Sequence, residues 1–135
     1  MIVQVAPPDH MPWIASRAEL NLHPGLAGIE CVDASGRIAG MVAYDGWMPG
    51  ACQIHVALDS PIAARRLLKD AFSIPFTRMH LAAVIAPVSS GNAASIRLVE
   101  KLGFRLVHRG KGYLGSNDLC FYEMRREECR WIGRA

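Results

Sequence analysis

From Met79 to Ile96 the chain carries no Asp, Glu, Lys or Arg. What interrupts this stretch constrains the fold more than any other feature of the sequence. Met79 to Ile85 is a nearly continuous apolar run, the pattern of a central strand covered on both faces. Pro87 and Ser89-Ser90-Gly91-Asn92 follow, placing a turn where a membrane span would need its middle. Asn92 then caps a helix in which Ser95, Leu98, Val99 and Leu102 share one face. Gly103 stands at the position just past its end, and Phe104 closes back over the last turn. A buried strand followed by a turn and an amphipathic helix requires a sheet with helices packed on it.

The remaining chain supplies the other elements. Ile2 to Ala6 is a short edge strand broken by Pro7-Pro8-Asp9. Pro12 to Asn21 predicts a helix with Trp13, Ile14, Ala18 and Leu20 on its apolar side, ended by His23-Pro24-Gly25. Ala27 to Val32 and Arg37 to Tyr44 are strands joined by Asp33-Ala34-Ser35-Gly36, with Gly late in the turn as a hairpin requires. Ala51 to Leu58 is the next strand, with Ile54, Val56 and Leu58 on one side. Ser60-Pro61 opens a helix, Ser as cap and Pro at the first helical position. Ala64, Leu67, Leu68 and Ala71 form its apolar face, and it stops near Ser73-Ile74-Pro75. Arg105 to His108 and Leu119 to Met124 are a closing pair of strands. With 135 residues, 51% hydrophobic and 20% charged, the chain is expected to form one domain over 1–135. The class is α+β, a mixed and mostly antiparallel sheet flanked by helices.

The net charge of +3 lies entirely in residues 105–135, where seven basic side chains meet four acidic ones. Such a strip suits an anionic ligand and is too weak to argue for nucleic acid. Cys31, Cys52, Cys120 and Cys129 form no CxxC pair and have no His at metal-finger spacing, so they read as free buried thiols in a reducing cytoplasm, with no metal. The start of the sequence shows no export pattern.

The order β α β β β α β α β β and the stretch Asn92-Ala93-Ala94-Ser95-Ile96-Arg97-Leu98-Val99-Glu100-Lys101-Leu102-Gly103-Phe104 resemble the GCN5-related N-acetyltransferase superfamily. The resemblance implies an acetyl-coenzyme A site in a V-shaped opening between the Ala51–Leu58 and Met79–Ile85 strands. It implies cofactor contacts from Val56, Leu58, Ser60, Ala64, Arg65, Arg66, Asn92 and Ser95. In that family an Arg or Gln and two spaced small residues precede the middle helix and hold the pyrophosphate. Here those positions are Asp59, Ile62 and Ala64, and only Ala64 agrees. The family's usual acid, a Tyr on the last helix, falls on Val99. A helix N-terminus still offers free N–H groups to a phosphate.

Acetyl transfer to an amine needs a neutral amine, a polarised carbonyl and a proton for the leaving thiolate. Asp59, Ser95 and Tyr122 are the candidate catalytic groups, with Tyr113 as a further acid and Glu30 and His55 as further bases. His55 lies between Ile54 and Val56 and so faces the other side of the sheet from them. Arg109-Gly110-Lys111-Gly112-Tyr113-Leu114-Gly115 contains G-x-G-x-x-G, but no helix follows, so it reads as a β-β loop beside the substrate opening. Trp47-Met48-Pro49 is an apolar loop whose Trp suits substrate stacking, a plug in the core or a homodimer contact. The expected activity is direct transfer of acetyl from acetyl-coenzyme A to a primary amine of a small molecule or protein. The alternative is a noncatalytic binding or assembly module on the same fold.

Overall fold

The computed structural model describes residues 1–133. Seven strands form one sheet in the order β1-β2-β3-β4-β5-β7-β6. They are β1 (Ile2–Val5), β2 (Ala27–Val32), β3 (Ile38–Asp45), β4 (Ala51–Leu58), β5 (Ala83–Ser89), β6 (Arg105–Gly110) and β7 (Leu119–Arg125). Every neighbouring pair is antiparallel except β4 and β5, which run parallel and pair only from Ala51↔Ala83 to Gln53↔Ile85. Beyond Gln53 the two strands separate. The expected mixed, mostly antiparallel sheet is thus found, with its single parallel pair at the expected place.

Three helices cover the sheet: α1 (Met11–Ala18), α2 (Pro61–Ser73) and α3 (Ala93–Leu102). On one face lies the larger core. It gathers Val42, Ile54, Val84 and Met124 from the strands, Leu67, Leu68 and Phe72 from α2, and Val99 and Leu102 from α3. On the other face α1 seals a smaller core of Met11, Ile14, Met41, Ala43 and Ala57. Gly40 sets how closely α2 approaches: a Cβ there would meet Ala63 and Leu58 at 3.1 Å and Leu67 at 3.0 Å. The absent side chain lets the first turn of α2 sit against the sheet.

The helix signals hold at α2 and α3. Ser60 Oγ accepts from Ala63 N–H at 3.1 Å, and Asn92 Oδ1 accepts from Ser95 N–H at 3.1 Å. Gly103 takes the left-handed φ of 108° that ends α3, and Phe104 N–H returns to the Val99 carbonyl at 3.0 Å. Several boundaries differ from expectation. The first helix stops at Ala18, not Asn21, because Glu19 takes a left-handed φ of 55°. The central strand is Ala83–Ser89, not Met79–Ile85, so Pro87 lies inside it, opposite Phe121, and only the turn after Ser89 follows expectation. The chain after Ser73 does not stop at Pro75 but continues as a π turn, Ile74–Arg78. That wider turn absorbs a proline that cannot donate to an α ladder. Residues 79–82 then reverse direction through His80 at φ 56°, leaving Met79 and His80 exposed rather than packed in a strand.

After β7 the chain folds back across α3, in a segment for which the sequence shows no pattern. Trp131 stacks on Phe72 with ring centroids 6.5 Å apart and planes at 15°, and its Nε1–H donates to the Leu102 carbonyl at 2.8 Å. Among the described residues no helix is long and apolar enough to cross a membrane.

Candidate functional site

Where β4 and β5 part, backbone groups on both strands lose their partners, and the sheet opens toward the N-terminus of α2 and the flank of α3. Three adjoining cavities follow this split. The widest, about 420 Å³, lies between α2, α3 and the C-terminal segment. Its floor is apolar (Leu58, Leu68, Leu98, Trp131), and Arg65, Lys101 and Arg130 bring three cations to it. The second, about 320 Å³, shares Leu58, Asp59 and Leu98 with the first and continues along Val56, Ala57 and Ser95. The third is a pinched gap of about 20 Å³ that shares Val56 and Ser95 with the second. It passes between the strands: Ile54 and Val56 border it from one face of the sheet, His55, Pro87 and Ala18 from the other. The whole is a track, cationic and broad at one end, apolar in the middle and about one water wide at the apex.

Of the residues expected to hold a cofactor, Val56, Leu58, Ser60, Ala64, Arg65 and Ser95 line this track. Two do not. Arg66 lies along the β2 side of α2, where its charge acts on the Cys31 thiol. Asn92 spends its side-chain oxygen on the cap of α3. The α2 N-terminus offers little to an anion: Pro61 has no N–H, Ala63 N–H is held by Ser60 Oγ, and Ala64 N–H is held by the Ser60 carbonyl. The positive side chains near it are Arg65, Lys101 and Arg130 at the broad end of the track.

The candidate catalytic groups separate. Ser95 borders both the middle cavity and the gap. Asp59 stands at the mouth, where Arg17 donates from Nε and Nη2 to its two oxygens at 3.4 Å. Arg17 in turn lies 3.8 Å over the Trp13 ring, so its guanidinium is held between an aromatic face and a carboxylate. Asp59 therefore meets an approaching anion as half of a neutral pair. Tyr122 is buried on β7 opposite Ala86 and borders none of the three cavities; burial pushes its phenol up. Glu30 is fully buried beneath the first turns of the chain, bonded to His10 and Gln4 at 2.7 Å each, away from the track.

His55 does reach the gap. Its Nε2 bonds to Asp45 Oδ1 at 2.8 Å, while the other Asp45 oxygen bonds to His23 Nε2 at 2.9 Å. Burial pushes the Asp45 carboxyl up, but the two imidazole bonds outweigh it and hold the group below the usual carboxylate range. Lys101, Arg130 and Trp131 are the residues that sequence reasoning passed over. Lys101 lies inside the Glu100-Lys101-Leu102-Gly103 stretch that carried the family resemblance, and Arg130 belongs to the positive C-terminal strip. The glycine-rich loop turns between β6 and β7 and is closed on itself: Arg109 donates to Asp118 at 2.7 Å, and Gly112 N–H donates to the same carboxylate at 2.9 Å. The Trp47-Met48-Pro49 turn is exposed at the opposite end of β4 from the mouth of the track.

All four cysteines are free and buried, and none borders the track. Burial pushes the Cys52 thiol up to about 12 and raises those of Cys31 and Cys129. Among the described residues there is no cluster of three His, Cys, Asp or Glu side chains able to hold a metal ion.

No protein-family model matches the sequence, and no curated protein sequence matches it. Solved structures do. A single-site variant of the spermidine N-acetyltransferase SpeG from Vibrio cholerae superposes with a TM-score of 0.69 at 13% identity, covering 94% of this chain and 96% of that one. A second variant of the same protein gives 0.70 at 14% identity, over 93% and 94%. A dodecameric form of it, in an intermediate state, gives 0.66 at 12% identity, over 93% and 94%. At this identity the likeness establishes the fold alone: the chain shares the fold of these solved structures over 93–94% of its length.

Proposed function

We propose that this protein is an N-acetyltransferase that binds acetyl-coenzyme A along the β4/β5 track and passes the acetyl group to a primary amine. The observation that carries this reading is the continuity of the track. A cationic chamber suits a phosphorylated nucleotide, an apolar corridor beside free β4 backbone suits a pantetheine arm, and a gap through the sheet suits a thioester reached from the far face. A bound molecule of this kind supplies an activated acetyl group. The chain supplies the rest: Arg65, Lys101 and Arg130 neutralise phosphate charge, Val56 and Leu58 present unpaired strand backbone, and Ser95 offers a hydroxyl beside the gap. Asp59 serves by holding Arg17 at the mouth.

Transfer is direct, in a ternary complex. A covalent acetyl-enzyme needs an activated nucleophile in the track. The four cysteines lie elsewhere, and a thiol reacts readily only as a thiolate at the site of attack. The neighbouring structures are of a spermidine acetyltransferase, so spermidine heads the panel of amines to try, with tryptamine and a lysine peptide. The buried free thiols suit a cytoplasmic protein, and the exposed Trp47-Met48 turn suits a homodimer contact. Nucleic acid is not expected to bind, because Arg105, Arg109 and Arg125 are each paired with a carboxylate.

The small volume of the gap favours a second reading, a module that binds the coenzyme without turnover. Calorimetric titration with acetyl-coenzyme A, followed by thiol release with the amine panel, separates the two. Binding with thiol release establishes the transferase, binding alone establishes the module, and no binding at millimolar acetyl-coenzyme A refutes both.

A further inference from the structure

The reaction proposed above conserves protons between its two ends: the attacking nitrogen must lose one and the departing sulfur must gain one. Val99 stands at the place of the usual acid, Tyr122 lies outside the track, and the Ser95 hydroxyl beside the gap is too weak a base to take the amine proton, so a different group on the gap has to accept the proton and return it. His55 is the one imidazole on the gap. Its Nε2 is fixed to Asp45, and its Nδ1 has no hydrogen-bond partner among the described residues yet is not sealed from solvent. Asp45 is gripped from two sides, by a His55 side chain that is 7% exposed and a His23 side chain that is 41% exposed.

We propose that His55 is the catalytic acid–base of this protein, positioned by Asp45, and that His23 tunes it through the second oxygen of the same carboxylate. The inference rests on the transferase reading. The neutral amine attacks the thioester carbonyl carbon, forming the C–N bond as the C–S bond breaks. His55 Nδ1 takes the proton from the nitrogen, becoming an imidazolium opposite Asp45. It returns that proton to the leaving thiolate, so the imidazole ends as it began and no further reactant is consumed. Asp45 stays ionised and stabilises the charged ring, as a carboxylate does in a hydrolase triad. Few other charges bear on the ring. On β3 the neighbour is Asp45; in the loop after α1 it is His23; on α1 it is Arg17, whose charge is taken up by Asp59. On β5 the facing residues Ile85 and Pro87 carry none.

The test uses thiol release from acetyl-coenzyme A with spermidine, tryptamine or the lysine peptide, whichever amine is accepted, across pH, with calorimetry for acetyl-coenzyme A. His55→Gln keeps a hydrogen bond to Asp45 and is expected to lower kcat by about 10²–10⁴-fold, the usual worth of one acid–base group. Its affinity for acetyl-coenzyme A stays within threefold of wild type, and added imidazole restores part of the rate. Two milder variants protect the test against misfolding. Asp45→Asn removes the charge that favours the imidazolium, so the acidic limb of kcat/KM moves to lower pH. His23→Ala, on an exposed side chain, leaves Asp45 wholly to His55, so the limb moves to higher pH. A purely structural histidine would move neither limb. If His55→Gln turns over at the wild-type rate with an unchanged acidic limb, the assignment is overturned while the transferase reading stands. If wild type binds no acetyl-coenzyme A, the transferase reading falls first and takes the assignment with it.

Discussion

Trp131 ties the segment after β7 to α2 and α3, and removing it is the sharpest test of how the track is built. Its ring is half-buried, stacked on Phe72, and its Nε1–H satisfies the Leu102 carbonyl. That carbonyl is in the last turn of α3 and has no partner within the helix. Truncating a fully buried Trp or Phe costs about 3–5 kcal/mol; with roughly half the ring buried, the packing loss is about 2 kcal/mol on the same scale. The hydrogen bond adds about 1 kcal/mol, toward the low side because the carbonyl returns to water. Trp131→Ala should therefore cost about 3 kcal/mol in all. At a few degrees per kcal/mol for a domain of this size, Tm should fall by about 10 °C. Trp131→Phe keeps the stack and loses the bond, so it should cost only about 1 kcal/mol. Urea unfolding followed by circular dichroism measures both, with an unchanged slope confirming that compactness is not the cause. If Trp131→Ala lies within 0.5 kcal/mol of wild type (~ the range of neutral surface changes), the segment is not docked and the broad chamber lacks its third wall.

Four further outcomes are expected. Arg65→Ala should weaken acetyl-coenzyme A several-fold, about 1 kcal/mol, and more at low salt, whereas Arg66→Ala should leave affinity unchanged in the same titration. Asp59→Gln should tighten binding by a similar factor, because it removes a carboxylate from the mouth and frees Arg17 to meet the phosphates; unchanged or weaker binding would show that the clasp itself orders the mouth. Asn92→Ala should cost about 1 kcal/mol of stability, the worth of its cap, with acetyl-coenzyme A affinity unchanged. The hydrogen bond to Glu30 raises the His10 pKa above its unfolded value of about 6.5. The stability it contributes is thus fully present below about pH 6.5 and lost as pH rises through the folded pKa; denaturation midpoints from pH 5.5 to 8.5 (about a unit below to two above that value) should show this slope, and His10→Gln should abolish it.

How much of the molecule was legible beforehand depended on the range of the forces involved. Caps, turns and apolar stripes are local, and they marked α2, α3 and most strands to within a residue or two. The α3 ending at Gly103-Phe104 was readable because a left-handed turn selects glycine wherever it falls in a fold. The start of β5 was not, because Met79 to Leu81 is as apolar as a strand. Only the π turn at Ile74–Arg78, stabilised by burial of Pro75 and Phe76, withdrew those residues from the sheet. The candidate site divided along the same line. Ser60, Ala64, Arg65 and Ser95 were implied by the family resemblance, and they line the track from two helix starts. Lys101, Arg130 and Trp131 come together across 30 residues of chain, and His55 meets Asp45 and His23 only through pairing of β3 with β4 and the return of the loop after α1. No local pattern encodes such meetings. They are fixed by strand register and by which core each helix buries, and those are settled only when the whole chain packs.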